Sequence, residues 1–187
     1  MKRLVDLIKR YLEIFPEEKS KQKNVIKFIE ENDDIIDWNN FNGHIVVGGF
    51  IYDKRERKFL VLYHNDLKMF LYPGGHIEEN DLNILDAVKR EIYEETGLLN
   101  LRQVKISNNE LVPIDIDTHI INYNDRLRLP EHYHFEFRYL FEVDEIKDVI
   151  LDSEEHECVK WINIEELKND KNYGRVVEKI EKIINEN

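Results

Sequence analysis

Glu91, Glu94 and Glu95 lie in one segment, Arg90-Glu91-Ile92-Tyr93-Glu94-Glu95-Thr96-Gly97-Leu98, which follows Gly74-Gly75-His76-Ile77-Glu78-Glu79-Asn80-Asp81. On a helix at about 100° per residue with Ile84 at zero, Leu85, Val88 and Ile92 form an apolar stripe at roughly 100°, 40° and 80°. Glu91, Glu94 and Glu95 then fall at about 340°, 280° and 20°. The three carboxylates are mutual neighbours, and Glu95 lies inside the edge of the stripe. Like charges at this spacing repel, and partial burial adds to the cost of ionising them. A divalent cation among them offsets both terms, so the pattern predicts a site for a hard ion such as Mg²⁺. The plainer reading is a solvated acidic face beside Lys89 and Arg90. An Arg90–Glu94 pair at i+4 explains Glu94 better than Glu95. Gly74-Gly75, after Pro73, lets the backbone turn sharply, so that a carbonyl can face the metal and phosphates can come close.

These groups need a scaffold. The spacing predicts a helix from about Leu82 to Thr96, closed by Gly97 as a left-handed cap. Upstream, the pattern changes at Asn42-Gly43: apolar Ile45–Tyr52, the charged turn Asp53–Lys58 and then Phe59–His64 read as a two-stranded hairpin. Further strands are expected near Leu101–Ile106, Ile114–Ile121, His134–Val143 and Val159–Ile162, with helices at Ile164–Leu167 and Val176–Ile184. Residues 1–40 read as two short amphipathic helices. Leu4, Leu7, Ile8, Tyr11 and Leu12 recur at helical spacing before Pro16, and Val25, Ile26, Phe28 and Ile29 mark the second. Helices this short need the main domain or a partner chain to pack against. The expected class is α/β, with a mixed sheet between helical layers in residues 41–187 and a helical extension over 1–40.

A chain of 187 residues suits one domain plus an extension, and 42% hydrophobic with 11% aromatic residues can build a core. The formal net charge of −12 argues against wrapping nucleic acid or docking on an anionic membrane. Cys158 is the only cysteine, so an internal disulfide and a multi-cysteine zinc site are excluded. Beside Val159 and Trp161 it reads as a small buried hydrophobe. Lys9, Arg10 and Glu13 interrupt the first segment, which reads as neither signal peptide nor membrane span; a cytoplasmic location is expected.

The stretch from Gly75 to Leu98 resembles the Nudix box, the signature of MutT-like hydrolases. Gly75 matches the box glycine, and Arg90, Glu91, Ile92, Glu94, Glu95, Gly97 and Leu98 match its second half in register. The first half departs. One residue more than usual separates Gly75 from Arg90, and Asp81 stands where the box has its first Glu, so no role carries over to Asp81 or Glu78. The ending Trp161-Ile162-Asn163-Ile164-Glu165-Glu166-Leu167 extends the likeness over residues 41–187. The runs Asp115–His119 and Glu131–Tyr139 are similar to a subgroup carrying a short helical N-terminal extension.

The resemblance implies a Nudix-like α/β/α sandwich and a pyrophosphohydrolase. Glu91, Glu94 and Glu95 would hold one or more Mg²⁺ ions, with Mn²⁺ as a substitute, the Gly74 carbonyl would add a ligand, and Arg90 would orient the carboxylates. The metal would polarise the diphosphate and ease proton loss from the attacking water. Glu155, in the acidic turn before Trp161, is the candidate further acid, with Glu154 in reserve. Gly75, His76, His132, His134 and Arg138 are the candidate substrate contacts, with Tyr72 and Phe70 as stacking groups. His132 and His134 share a strand face, opposite His119 if those strands pair. Structural hydrogen bonding, or a second metal site with Asp117 or Glu136, is the other reading of these histidines. The expected partner is a small-molecule diphosphate, with no nucleic acid and no membrane; a homodimer is left open. An isopentenyl-diphosphate isomerase-like enzyme would need a catalytic cysteine in a setting that Cys158 lacks. A non-catalytic nucleotide-binding module would be expected with an eroded box. A hydrolase of messenger caps or RNA 5′ ends is a rival within the enzyme class, disfavoured by the acidic surface.

Overall fold

The computed structural model describes residues 2–123, 128–144, 149–170 and 173–186. Strand β1 (His44–Asp53) is its axis, buried along its whole length. Ten consecutive pairs join β1 in parallel to β7 (His132–Val143), from His44↔His134 to Asp53↔Val143. Its other side is shared. β4 (Gly74–His76) pairs antiparallel with Val46–Gly48, and β2 (Lys58–His64) pairs only at Tyr52↔Phe59 and Asp53↔Lys58. The hairpin read from sequence therefore splays at once, and the gap admits β4. β2 pairs instead with β3 (Met69–Leu71) and β8 (His156–Asn163). β7 carries β5 (Arg102–Gln103) and β6 (Asp115–Ile121) antiparallel on its far side. One parallel pair among antiparallel ones makes the sheet mixed.

Both faces are covered. Ile45, Val47 and Ile51 of β1 with Phe135, Phe137 and Tyr139 of β7 pack under α3 (Ile84–Thr96), in a cluster that α1 (Lys2–Ile14) and α2 (Lys23–Glu31) also enter. Phe50 and Tyr52 point the other way, with Leu140, against α4 (Ile164–Lys168) and α5 (Gly174–Glu186). The result is the α/β/α sandwich with an N-terminal helical extension expected from sequence. The extension packs on the main body: Phe28 stacks on Phe135, and Gln22 donates to the Ile116 carbonyl of β6 at 2.9 Å. No helix among the described residues is long and apolar enough to cross a membrane.

Three boundaries differ from the sequence reading. The strand expected over Leu101–Ile106 contracts to Arg102–Gln103, because only the last part of β7 remains for it to pair with. The stretch around Gly74-Gly75, read as a turn, enters the sheet as β4. Glycine has little strand propensity, yet here only glycine fits: a Cβ on Gly74 would lie 2.3 Å from the Val47 carbonyl oxygen. β8 begins at His156, earlier than expected, and Cys158 on it is half-buried, not buried.

Candidate active site

Local signals set the frame of α3. The Asn83 side chain accepts from the Leu85 and Asp86 amides at 2.9 and 3.1 Å. Gly97 closes the helix at φ 68°, its N–H reaching the Tyr93 carbonyl at 2.8 Å. Between these caps Leu85, Val88 and Ile92 face the sheet, so Glu91 and Glu95 arrive at the margin of the core beside β4. Glu95 is 6% exposed, and its Oε2 has no hydrogen-bond partner among the described residues. Glu94 points outward, its side chain 51% exposed.

Glu155, which is exposed, joins them from the turn just before β8. Its backbone carbonyl is anchored by the Asn65 amide at 2.8 Å. One ligand atom from each of Glu95, Glu155 and His156 lies within 4.8 Å of the others. Burial, then the charges of Glu91 and Glu155, pushes the Glu95 carboxyl up to about 9, although a Gly74 backbone hydrogen bond eases it. Burial pushes Glu91 up to about 7; Arg90 opposes that rise, and Glu94 and Glu155 add to it. A Cβ on Gly75 would stand 2.8 Å from the Glu91 carboxylate, so the glycine leaves the room this group occupies. Crowded, half-desolvated carboxylates with an unpartnered oxygen fit a hard divalent cation, which supplies the missing charge and takes oxygen ligands.

Arg90 ties the loop, strand and helix together. Its Nη1 donates to Glu91 at 3.0 Å and Glu94 at 2.8 Å, and its Nη2 donates to the His76 carbonyl at 2.7 Å. Nε and Nη2 also donate to Asp81 at 3.2 and 3.0 Å. Asp81, to which the sequence reading carried no role, thus anchors the guanidinium that also holds Glu91 and Glu94. The loop before the helix contains a turn closed by the Asp81 amide on the Glu78 carbonyl at 3.1 Å.

The other expected contacts lie elsewhere. His76 points to the opposite face of β4 from Glu91, where its Nε2 lies 3.1 Å from His44 Nε2 and its ring meets that of His134. Arg138 is buried under β7's polar face. Its guanidinium donates to Glu136 at 3.0 and 2.8 Å, to Asp115 at 3.1 Å and to Asp117 at 3.0 Å. A grip on substrate would first have to break those bonds. Tyr72 lies beneath it, its hydroxyl donating to Glu136 at 2.8 Å. Glu154 uses its amide and carbonyl on Asp152 and Asn65, with no contact to the cluster. Sequence reasoning missed His156, whose Nε2 lies 3.9 Å from Glu95 Oε2, and His44. The Glu155-His156 adjacency was a usable signal for the first; nothing local marks the second.

The NUDIX domain family model matches residues 43–180. A probable DHNTP pyrophosphohydrolase of Lactococcus lactis is 32% identical over 91 residues, 49% of this chain and 50% of that protein. An RNA pyrophosphohydrolase of Bartonella bacilliformis is 28% identical over 109 residues, 54% of this chain and 61% of that one. The chain therefore spans half to three-fifths of the length of these curated relatives. A NUDIX-family hydrolase from Clostridium perfringens superposes with a TM-score of 0.56 at 26% identity, covering 77% of this chain and 98% of that structure.

Proposed function

Because the chain belongs to the NUDIX family, we propose that it is a Mg²⁺-dependent hydrolase that cleaves a phosphorus anhydride bond in a small nucleoside-diphosphate-linked molecule by attack of water on phosphorus. Residues 41–187 form the hydrolase domain on this reading, and 1–40 its helical extension. The observation that carries it is the crowded, repelling set of buried Glu95, half-buried Glu91 and exposed Glu155 beside Gly74-Gly75.

Glu91, Glu94 and Glu95, with the Gly74 carbonyl, are the groups that would hold Mg²⁺. When bound, the ion polarises the phosphoryl oxygens and offsets the charge that develops on them. Arg90, fixed by Asp81 and the His76 carbonyl, positions Glu91 and Glu94. Glu155, reaching in from outside α3, takes the proton of the attacking water. The glycines let phosphates approach the backbone of β4. The net charge of −12 favours a small diphosphate over a long polyanion, which brings far more charge to be countered.

A substrate panel tests the reading. The chain is incubated with Mg²⁺ and nucleoside di- and triphosphates, nucleotide sugars, ADP-ribose, NADH, dinucleoside polyphosphates or 5′-triphosphorylated RNA, in ¹⁸O-labelled water. Mg²⁺-dependent cleavage of a small diphosphate is expected, and product masses identify the phosphorus attacked. Cleavage of none of them with Mg²⁺ or Mn²⁺ overturns the proposal, and preference for RNA replaces its substrate class.

A further inference from the structure

Strand register gathers histidines from distant parts of the chain. His44 on β1 pairs with His134 on β7, His119 on β6 pairs with the same His134, and His76 on β4 lies opposite Val46 of β1. With His132 two residues earlier on β7, five of the seven histidines of the chain share one face of the sheet. Four of their rings converge. Centroid separations are 4.6 Å for His44–His134, 5.0 Å for His44–His76, 5.0 Å for His44–His132 and 5.0 Å for His132–His134.

We infer that His44, His76 and His134 form a second metal site, for a zinc-class transition ion, with His132 as the nearest fourth donor. Ring nitrogens of these three residues lie within 4.8 Å of one another. His76 Nε2 is 3.1 Å from His44 Nε2, and His132 Nε2 is 3.2 Å from His134 Nε2. Zinc–nitrogen bonds of about 2.0–2.1 Å in a tetrahedron place neighbouring nitrogens roughly 3.3–3.4 Å apart, so those contacts are close to the edge of a ligand shell. The tautomer of His132 is set accordingly: its Nδ1–H donates to the Pro130 carbonyl at 2.7 Å, which leaves Nε2 with a lone pair turned inward. Metal-bound imidazoles have this kind of outer partner. Burial and the neighbouring rings also keep His44 and His134 uncharged, as a ligand must be.

Ligand chemistry separates the two sites. Imidazole nitrogens suit Zn²⁺, Co²⁺ or Ni²⁺, whereas Mg²⁺ takes oxygen. Access is through His76, the exposed member; His44 at 1% and His132 at 6% exposure form the floor. An ion here would pin β4 to β1 and β7 from the face opposite Glu91, independently of the hydrolase reading.

The test is a metal titration of the chelator-stripped protein with Mg²⁺ present to saturate the carboxylates. Uptake of about one Zn²⁺ per chain is expected by calorimetry, as is the strong visible absorption of tetrahedral Co²⁺. His76→Ala, at the exposed end, and His134→Gln should each weaken binding at least about 100-fold, the upper end of what loss of an outer-shell partner costs. Glu95→Gln should leave it unchanged. Circular dichroism checks folding; if His134→Gln does not fold, wild type and His76→Ala decide. No uptake by wild type, an octahedral Co²⁺ spectrum alone, or binding that fails with Glu95→Gln and survives His76→Ala overturns the site. The substrate panel stands or falls separately.

Discussion

Gly75 and Glu91 meet where a side chain cannot: a Cβ on the glycine would lie 2.8 Å from the carboxylate carbon and both its oxygens. Strand β4 and helix α3 are therefore fitted to each other through an absent methyl group. Adding it forces the carboxylate, the far end of a flexible side chain, away from its place. Gly75→Ala is expected to fold with little change in stability and to lose about 10-fold or more in apparent Mg²⁺ affinity, at the scale of a disturbed ligand environment. Mg²⁺ titration of turnover checks this; an unchanged affinity would show that Glu91 is not held by that contact.

Glu94→Gln and Glu95→Gln should separate folding from turnover. Glu94→Gln gives up only a surface pair with Arg90, and Glu95 is a buried acid among like charges, so neither amide removes a favourable ionic contact from the core. Without metal, Glu95→Gln is expected to melt at or above the wild-type temperature, since the raised Glu95 carboxyl must take up a proton to be buried at neutral pH, a cost the amide does not carry. Mg²⁺-dependent turnover should fall at least about 100-fold in each, a lower bound for losing a group that acts on proton transfer or metal. Wild-type turnover in both would refute the assigned roles.

Metal removal should register in stability. An ion that binds only the folded state adds about 2.7 kcal/mol when present at 100 times its dissociation constant. For a chain of this size that corresponds to a rise of roughly 5–10 °C in melting temperature. Differential scanning fluorimetry with Mg²⁺ and with EDTA measures it. Glu95→Gln should abolish the increment, and a wild-type curve indifferent to Mg²⁺ would contradict the carboxylate site.

Acid should act on the fold through Asp117. Burial alone would raise its carboxyl, but the His119 hydrogen bond and the charges of Arg138, His119 and Arg175 hold it well below the usual carboxylate range. A folded-state value below the unfolded one confers stability that is complete above the unfolded value, about 3.9, and drains as pH falls beneath it. Urea denaturation at stepped pH should show stability falling below about pH 4, and less steeply in Asp117→Asn. An identical slope in the variant would dismiss this carboxylate as the source.

Arg138 is expected to be structural. Its removal takes the guanidinium from buried Glu136 and leaves Asp115 and Asp117 to Lys179, Arg175 and His119 alone. Arg138→Met should lose about 3–5 kcal/mol, the scale for breaking a buried pair from one side. Chemical denaturation measures it. A loss below about 1 kcal/mol, typical of exposed pairs, would mean that the cage is not the constraint.

The reach of sequence reasoning follows the range of the interactions involved. Helix α3 was legible because each of its determinants is local. The spacing of Leu85, Val88 and Ile92 sets the buried side, the same count places Glu95 at its edge, and Gly97 ends it. The mixed sheet and its two helical layers followed from the order of apolar runs. The splay of β1 from β2 did not, because hairpin partners are guessed from adjacency, while here Gly74 lies against the Val47–Gly48 backbone more closely than any side chain allows.

Within the chain's linear order, the grouping of Glu91, Glu94 and Glu95 and their burial gradient were already decided, since helical geometry converts spacing directly into proximity. Tertiary structure alone decided that Glu155 and His156 reach Glu95 across the molecule, that Arg138 spends its donors on an internal cage, and that His44 stands against His134. Those contacts depend on strand register between segments dozens of residues apart, and register is chosen by the packing of whole faces, which no local pattern encodes.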